Sequence, residues 1–380
     1  MLTLAAVVAA FHPGTPLTGS VGARVAPALV TRSGPRPRER ASPSPAVARS
    51  VAAGRDVTAW LPYWGMNAAY DSAVAHADVV GIASPFWYAI SGDSTIEADP
   101  GAGDHQVIDD LRARGIQVVP TVTENEGMRA FDATLASPRR RAAMAHALLT
   151  IAGSHGYDGL DLDFEEFAVD RSHTAAAADE AAAVYPPFVA DVCTALHAID
   201  RTCAVTVMPR TSSAHVYWRG KLATWVYDYG ALAKAADRVQ IMAYDEHAPG
   251  TAPGPVAPYP WVEQVVSYAA STMPLVKTEL ALAAYGYDFT RGTATSITTQ
   301  QAEKLAARTG AVPRWSAAQA EETFSYGPRR DRHTVWYEDA EAEYDRARLA
   351  RADGFAGVDL WYAGGEDPAV WPLLRGLFAG

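Results

Sequence analysis

The sequence predicts an α/β protein built as a closed (β/α)8 TIM barrel, with a small α+β insertion in the seventh βα connection. Eight apolar runs of strand length follow residue 55, at 57–64, 79–90, 117–123, 159–164, 204–211, 238–245, 280–288 and 357–362. Helical patterns lie between most of them, among them 138–154, 175–199, 260–271, 340–352 and 368–378. Nearly all-apolar strands alternating with helices form a parallel sheet covered on both faces, and eight such repeats suggest closure. An open doubly wound sheet is the alternative, weakened because no Gly-rich phosphate loop follows the first run.

The barrel repeats have distinct endings. The first run ends Pro62-Tyr-Trp64 and the second contains Pro85-Phe-Trp-Tyr88. The third runs into Thr123-Glu-Asn-Glu126, where Glu124 and Asn125 are candidates for a cleft wall. The fourth carries Asp161, Asp163 and Glu165 at every second position, with Leu160, Leu162 and Phe164 in register between them. A period of two puts the three acids on one strand face and the apolar residues on the other. A row of carboxylates repels itself and raises the pKa of at least one member, as a general acid for glycosidic-bond cleavage requires. The sixth run ends Met242-Ala-Tyr-Asp-Glu-His247, the seventh Tyr285-Gly-Tyr-Asp288 and the eighth Asp359-Leu-Trp361. Barrel sites sit at these C-terminal ends. Aromatic faces stack on the C–H faces of sugars, and carboxylates pair with their hydroxyls. Between the seventh run and the helical pattern at 340, about fifty residues (289–339) break the rhythm and read as the insertion, one wall of a cleft.

The chain has 380 residues and a formal net charge of −11. Its first fifty residues hold six Arg, no Lys and one Glu, so the remainder carries −16. An acidic body argues against a nucleic-acid partner, because phosphate contacts need a basic face. Residues 1–11 resemble the apolar region of a secretory signal without its basic start, and 12–54 are rich in Pro, Ala, Ser, Arg and Gly. The expectation is a secreted protein: a signal-like segment and disordered linker at 1–54, a barrel domain at 55–380, no stable membrane insertion, and a monomer. Cys193 falls late in a helical pattern and Cys203 opens the next strand. That return allows a disulfide, with two buried thiols the alternative.

Two motifs together carry a family resemblance. Residues 158–165, Asp-Gly-Leu-Asp-Leu-Asp-Phe-Glu, match the DGxDxDxE signature of glycoside hydrolase family 18, and Met242-Ala-Tyr-Asp245 resembles its MxYD motif. Trp361 matches the tryptophan that floors the family's central subsite. The resemblance spans roughly 56–380. Tyr244-Asp-Glu-His247, Pro253-Gly-Pro-Val256, Pro260-Trp-Val-Glu263 and the stretch at 364–371 are similar to a bacterial branch that includes spore-cortex peptidoglycan hydrolases.

The resemblance implies substrate-assisted, retaining hydrolysis of β-linked N-acetylglucosamine in chitin or peptidoglycan, with no cofactor and no metal. It makes Glu165 the acid/base. Asp163 holds the substrate acetamide, Asp161 shares a proton with Asp163, and Tyr244 donates to the acetamide oxygen. Asp245, Trp361, Asn125 and His247 are the expected substrate contacts, His247 being equally suited to capping a loop. The family's SxGG segment is replaced here by residues 121–126, which leaves the cleft shape open. A row of three acids can alternatively bind Mg2+ or Ca2+, and a catalytically silent lectin of the same fold is the rival to an enzyme.

Overall fold

The computed structural model describes residues 55–91, 95–125, 128–168 and 174–379. The signal-like segment, the linker and Glu126 lie outside the described residues. Among the described residues, the strands in chain order are β1 (Val57–Pro62), β2 (Val80–Ser91), β3 (Thr95–Ala98), β4 (Gln117–Val118), β5 (Thr121–Glu124), β6 (Gly159–Asp163), β7 (Thr202–Val207), β8 (Arg238–Met242) and β9 (Thr278–Ala283). They are followed by β10 (Gly286–Thr290), β11 (Thr293–Ile297), β12 (Arg314–Ser316), β13 (Glu321–Tyr326), β14 (His333–Tyr337) and β15 (Gly357–Trp361).

The parallel strands run β1-β2, then β4 and β5 as one interrupted wall, then β6-β7-β8-β9-β15. Pairing of β15 back onto β1, Val57 against Val358, closes the eight-walled barrel. Pro120 separates β4 from β5, because proline offers no N–H to the ladder. Gly159 opens β6 where the chain passes β7 so closely that a Cβ would stand 2.4 Å from the Thr202 carbonyl oxygen.

The outer helices bury their apolar stripes on the barrel. The longest, Ala175–His197, begins where the Thr174 hydroxyl accepts from the Ala177 N–H, and it buries Tyr185, Phe188, Val189, Val192 and Leu196. Phe188 meets Phe164, the residue just past β6, with ring centroids 6.3 Å apart. The helix hands over to β7 through a Cys193–Cys203 disulfide, Cα atoms 5.2 Å apart, which decides between the two cysteine readings.

The expected strand at 280–288 is in fact two. β9 ends at Ala283, and β10 starts at Gly286 in a separate antiparallel sheet of order β11-β10-β14-β13-β12. The apolar run continues across the break, so periodicity hides the switch. This sheet and the helix Thr299–Thr309 form the insertion between β9 and the helix Ala340–Asp353. The expected strand at 238–245 stops at Met242, and Asp245 turns the chain with a φ of 64°.

Candidate active site

The acid row stands as its period requires. Asp161 and Asp163 point into the barrel from β6, fully buried and 5 % exposed respectively, while Leu160 and Leu162 are buried on the opposite face. Asp161 is held by three donors from three strands. Trp60 Nε1 reaches Oδ2 at 3.2 Å, Thr121 Oγ1 reaches Oδ2 at 2.9 Å, and Thr206 Oγ1 reaches Oδ1 at 2.9 Å. Burial still outweighs these bonds and pushes the Asp161 pKa up to about 6.

Asp163 differs in kind. Its buried Oδ1 meets no N–H or hydroxyl donor among the described residues. Burial and the neighbouring Asp161 raise its pKa well above the carboxylate range, and its carboxyl shares a hydrogen bond with Glu165. Glu165 is half-buried at the mouth. Burial, then the charges of Asp163 and Glu166, hold its proton on. Three carboxyls at this spacing cannot all ionise, so the row carries protons near neutral pH.

Opposite the row, Tyr244 is buried except for 6 % of its surface, and no described residue hydrogen-bonds its hydroxyl. Burial and the charges of Glu165, Asp163 and Asp245 raise its pKa, which keeps the phenol a donor. Asp245 accepts from Tyr285 Oη at 2.6 Å and Tyr287 Oη at 2.9 Å on Oδ1, and from Tyr287 at 3.1 Å on Oδ2. Trp361, at the end of β15, lies edge-on to Trp60 at 5.9 Å and tilted against Phe86 at 4.8 Å.

These groups line one cleft at the C-terminal mouth, with about 570 Å³ of empty space including its opening. Asp163, Glu165, Tyr244, Asp245 and Trp361 all face it, and Asp161 sits beneath as a buried support. Asn125 and His247 do not line it. Asn125 is exposed beyond β5 and its N–H bonds the Ile90 carbonyl at 2.8 Å. His247 Nδ1 lies 3.1 Å from the Ala252 oxygen and its ring fills the space a Cβ on Gly254 would need, so it caps its own loop. Glu124 is buried and takes the Phe167 N–H at 2.9 Å, fixing the turn after Glu165. Trp87 is core, and the Tyr88 hydroxyl pairs with Tyr157 at 2.8 Å.

Sequence reasoning missed Trp218 and Arg219, which line the cleft from the segment after β7. Trp218 Nε1 donates to Glu246 Oε2 at 2.7 Å and its ring stacks on Trp261 at 6.3 Å. No motif marks this segment; a Trp-Arg-Gly turn after a barrel strand was the available signal. Among the described residues, no cluster of His, Cys, Asp or Glu is arranged to hold a metal ion, and no helix is long and apolar enough to cross a membrane.

A barrel whose catalytic-face mouth joins proton-holding acids to aromatic walls defines a glycan-hydrolase type of protein. The model of Glycosyl hydrolases family 18 matches residues 63–366, and the chain belongs to that family. It is 29% identical over 261 residues to the uncharacterized glycosylase YvbX of Bacillus subtilis (strain 168), covering 66% of this chain and 72% of that protein. It is 29% identical to the cortical fragment-lytic enzyme of Bacillus anthracis over 60% of this chain, and spans about half (51%) of that relative's length. Among solved structures, the chitinase from Chromobacterium violaceum ATCC 12472 superposes with a TM-score of 0.75 at 29% identity, over 87% of this chain and all (100%) of that one.

Proposed function

We propose that this protein hydrolyses β-linked N-acetylglucosamine in chitin or peptidoglycan glycans, by a substrate-assisted retaining mechanism with Glu165 as acid/base. The observation that carries the reading is the graded acid row. Asp161 is locked by three hydrogen bonds, Asp163 has an oxygen without a fixed donor, and Glu165 alone reaches the mouth with its proton retained.

On this reading Glu165 gives its proton to the leaving glycosidic oxygen. The substrate's acetamide oxygen attacks the anomeric carbon as that bond breaks, forming a cyclic oxazolinium ion. Asp163 accepts the acetamide N–H on its undersupplied oxygen and faces the developing positive charge. Tyr244 donates to the acetamide oxygen and steers it. Glu165, now ionised, takes a proton from the water that opens the ring, which restores the acid and leaves the β configuration. Trp361 supports a sugar face, and Asp245 is positioned for a sugar hydroxyl while its tyrosine partners fix it. The relatives' names, a chitinase and a cortical fragment-lytic enzyme, support both polymers as substrates. Polymers of this kind lie outside the cytoplasm, which agrees with the secretion expected from residues 1–11.

Mass spectrometry of the products tests the reading. Chitin oligosaccharides and purified peptidoglycan are incubated with the protein and, in parallel, with Glu165→Gln. New reducing ends that disappear in the variant are expected. Intact substrate with retained glycan binding would move the protein to a lectin role.

A further inference from the structure

Among the described residues that line the cleft, Arg219 is the one cation; the other ionisable groups there apart from Tyr244, namely Asp163, Glu165 and Asp245, are all acids. A guanidinium in such a place could serve only to balance Asp245. The geometry speaks against that. Both Asp245 oxygens are already supplied by Tyr285 and Tyr287, and Arg219 makes no ion pair with any described residue. It interacts with Asp245 only at a distance, where its charge draws the Asp245 pKa down against burial.

Arg219 is nevertheless held firmly. Its Nη2 donates to the Pro249 carbonyl at 3.0 Å, and the guanidinium lies 5.6 Å from the centre of the Trp218 ring. Its main chain sits at a φ of 54°, followed by Gly220 at 68°, in a tight turn closed by hydrogen bonds between Trp218 and Leu222. A left-handed conformation is unfavourable for an arginine, and Gly or Asn would fill the position with less strain. Strain retained at the lip of a cleft is a mark of use. The one bond to Pro249 leaves most of the five guanidinium donors of Arg219 without a partner among the described residues, on a side chain that lines the cleft.

We propose that Arg219 is a specificity-determining residue that receives a carboxylate carried by the glycan, so that the cleft prefers an acidic amino-sugar polymer to a neutral one. This rests on the glycosidase reading above. Arginine matches a carboxylate bidentately, and such a bond is stronger than a neutral one. A body of formal charge −16 outside its first fifty residues would otherwise repel an acidic polymer. In peptidoglycan the carboxylate has two sources, the lactyl group of a muramyl sugar or the peptide attached to it. Chitin has neither.

The test compares soluble glycan fragments that differ only in this group: free lactyl carboxylate, the same group converted to a neutral methylamide, and a single alanyl extension that moves the carboxylate outward. Each is given to the protein and to Arg219→Gln and Arg219→Lys. The wild type is expected to favour one of the acidic forms over the neutral form by about 10- to 100-fold in kcat/KM. Which acidic form wins names the source. That ratio collapses towards one in Arg219→Gln and is partly kept in Arg219→Lys. A ratio near one in the wild type, or one unchanged in Arg219→Gln, overturns the proposal. The same ratio is read from binding to Glu165→Gln protein, where turnover plays no part. Carboxylate preference in binding without any cleavage by the wild type would sink the glycosidase reading and leave the role of Arg219 standing. Cleavage of every fragment with no preference in binding would sink Arg219 alone.

Discussion

Two groups of carboxyls in this chain have pKa values raised by burial and differ in what surrounds them. One is the row of Asp161, Asp163 and Glu165 on β6. The other is Glu321 and Glu338, which lie with Arg346 where the insertion meets the barrel, all three at 0–1 % exposure. Burial raises the carboxyl pKa in both places, to about 7 for Glu321. In the second group a cation stands beside the carboxyls, although neither Glu338 oxygen accepts a hydrogen bond from a described residue. Arg346 Nε lies 2.9 Å from Glu338, its Nη2 lies 3.7 Å from Glu321, and Glu321 also takes the N–H groups of Val256 and Ala257 at 2.8 and 3.2 Å. Arg346 further donates to the carbonyls of Ala257, Ala320 and Ala342. That network is shut away from solvent and ties β13, the helix Ala340–Asp353 and the loop after β8 together. The row on β6 has no cation bonded to it, and its outer members open on a cleft. A raised carboxyl pKa therefore does not mark a site by itself; an undersupplied oxygen beside open space does.

Substitutions can break this contrast. The largest effect is expected for Glu165→Gln, a loss of about 10²- to 10⁴-fold in kcat with an unchanged melting temperature, because a general acid contributes about that much. Near-normal turnover would place the acid elsewhere. Arg346→Leu should do the reverse. It should destabilise the fold by about 3–5 kcal/mol by stranding buried carboxylates, while the folded fraction keeps its kcat. Urea unfolding followed by activity per folded molecule separates the two, and a catalytic defect without loss of stability would contradict the structural role of this cluster.

Outside both groups, replacing Cys193 and Cys203 by Ser should cost about 2–3 kcal/mol, as expected for opening a loop of 10 residues. A midpoint unchanged in urea would show that the packing of helix on β7 suffices.

A smaller effect sharpens the comparison from within the row. The folded pKa of Asp161, about 6, lies above its ordinary 3.8. Below about pH 4 the group is protonated whether folded or unfolded, and its contribution to stability is whole. As pH rises through that window the unfolded chain releases the proton first, so stability falls by up to about 1.4 kcal/mol per pH unit from this group. Asp161→Asn should flatten the slope of unfolding free energy between pH 4 and 6. An unaltered slope would mean that Asp161 does not hold its proton there.

The sequence made the site's inner wall legible because a strand's period of two and two short motifs fix which side chains share a face. Asp161, Asp163 and Glu165 needed no tertiary information, and Tyr244, Asp245 and Trp361 needed only the rule that sites sit at strand ends. Asn125 and His247 obey the same rule yet turn aside. Asn125 follows a strand whose last acid, Glu124, is used in the fold. His247 fills the pocket left by Gly254, seven positions on, and such a packing relation has no local signature. Arg219 was missed for the converse reason: its Trp-Arg-Gly turn lies well past the end of β7, and only folding brings that turn to the cleft. The switch of sheets between Ala283 and Gly286 was hidden because the apolar pattern runs straight through it.

Proton NMR of the first product formed from a soluble β-linked N-acetylglucosamine oligomer, read before mutarotation, tests the central claim most directly. A row in which Glu165 gives the proton and the substrate's own acetamide attacks must release the β anomer first. Initial release of the α anomer would mean that water attacks directly, and that Asp163 or another carboxyl acts as its base.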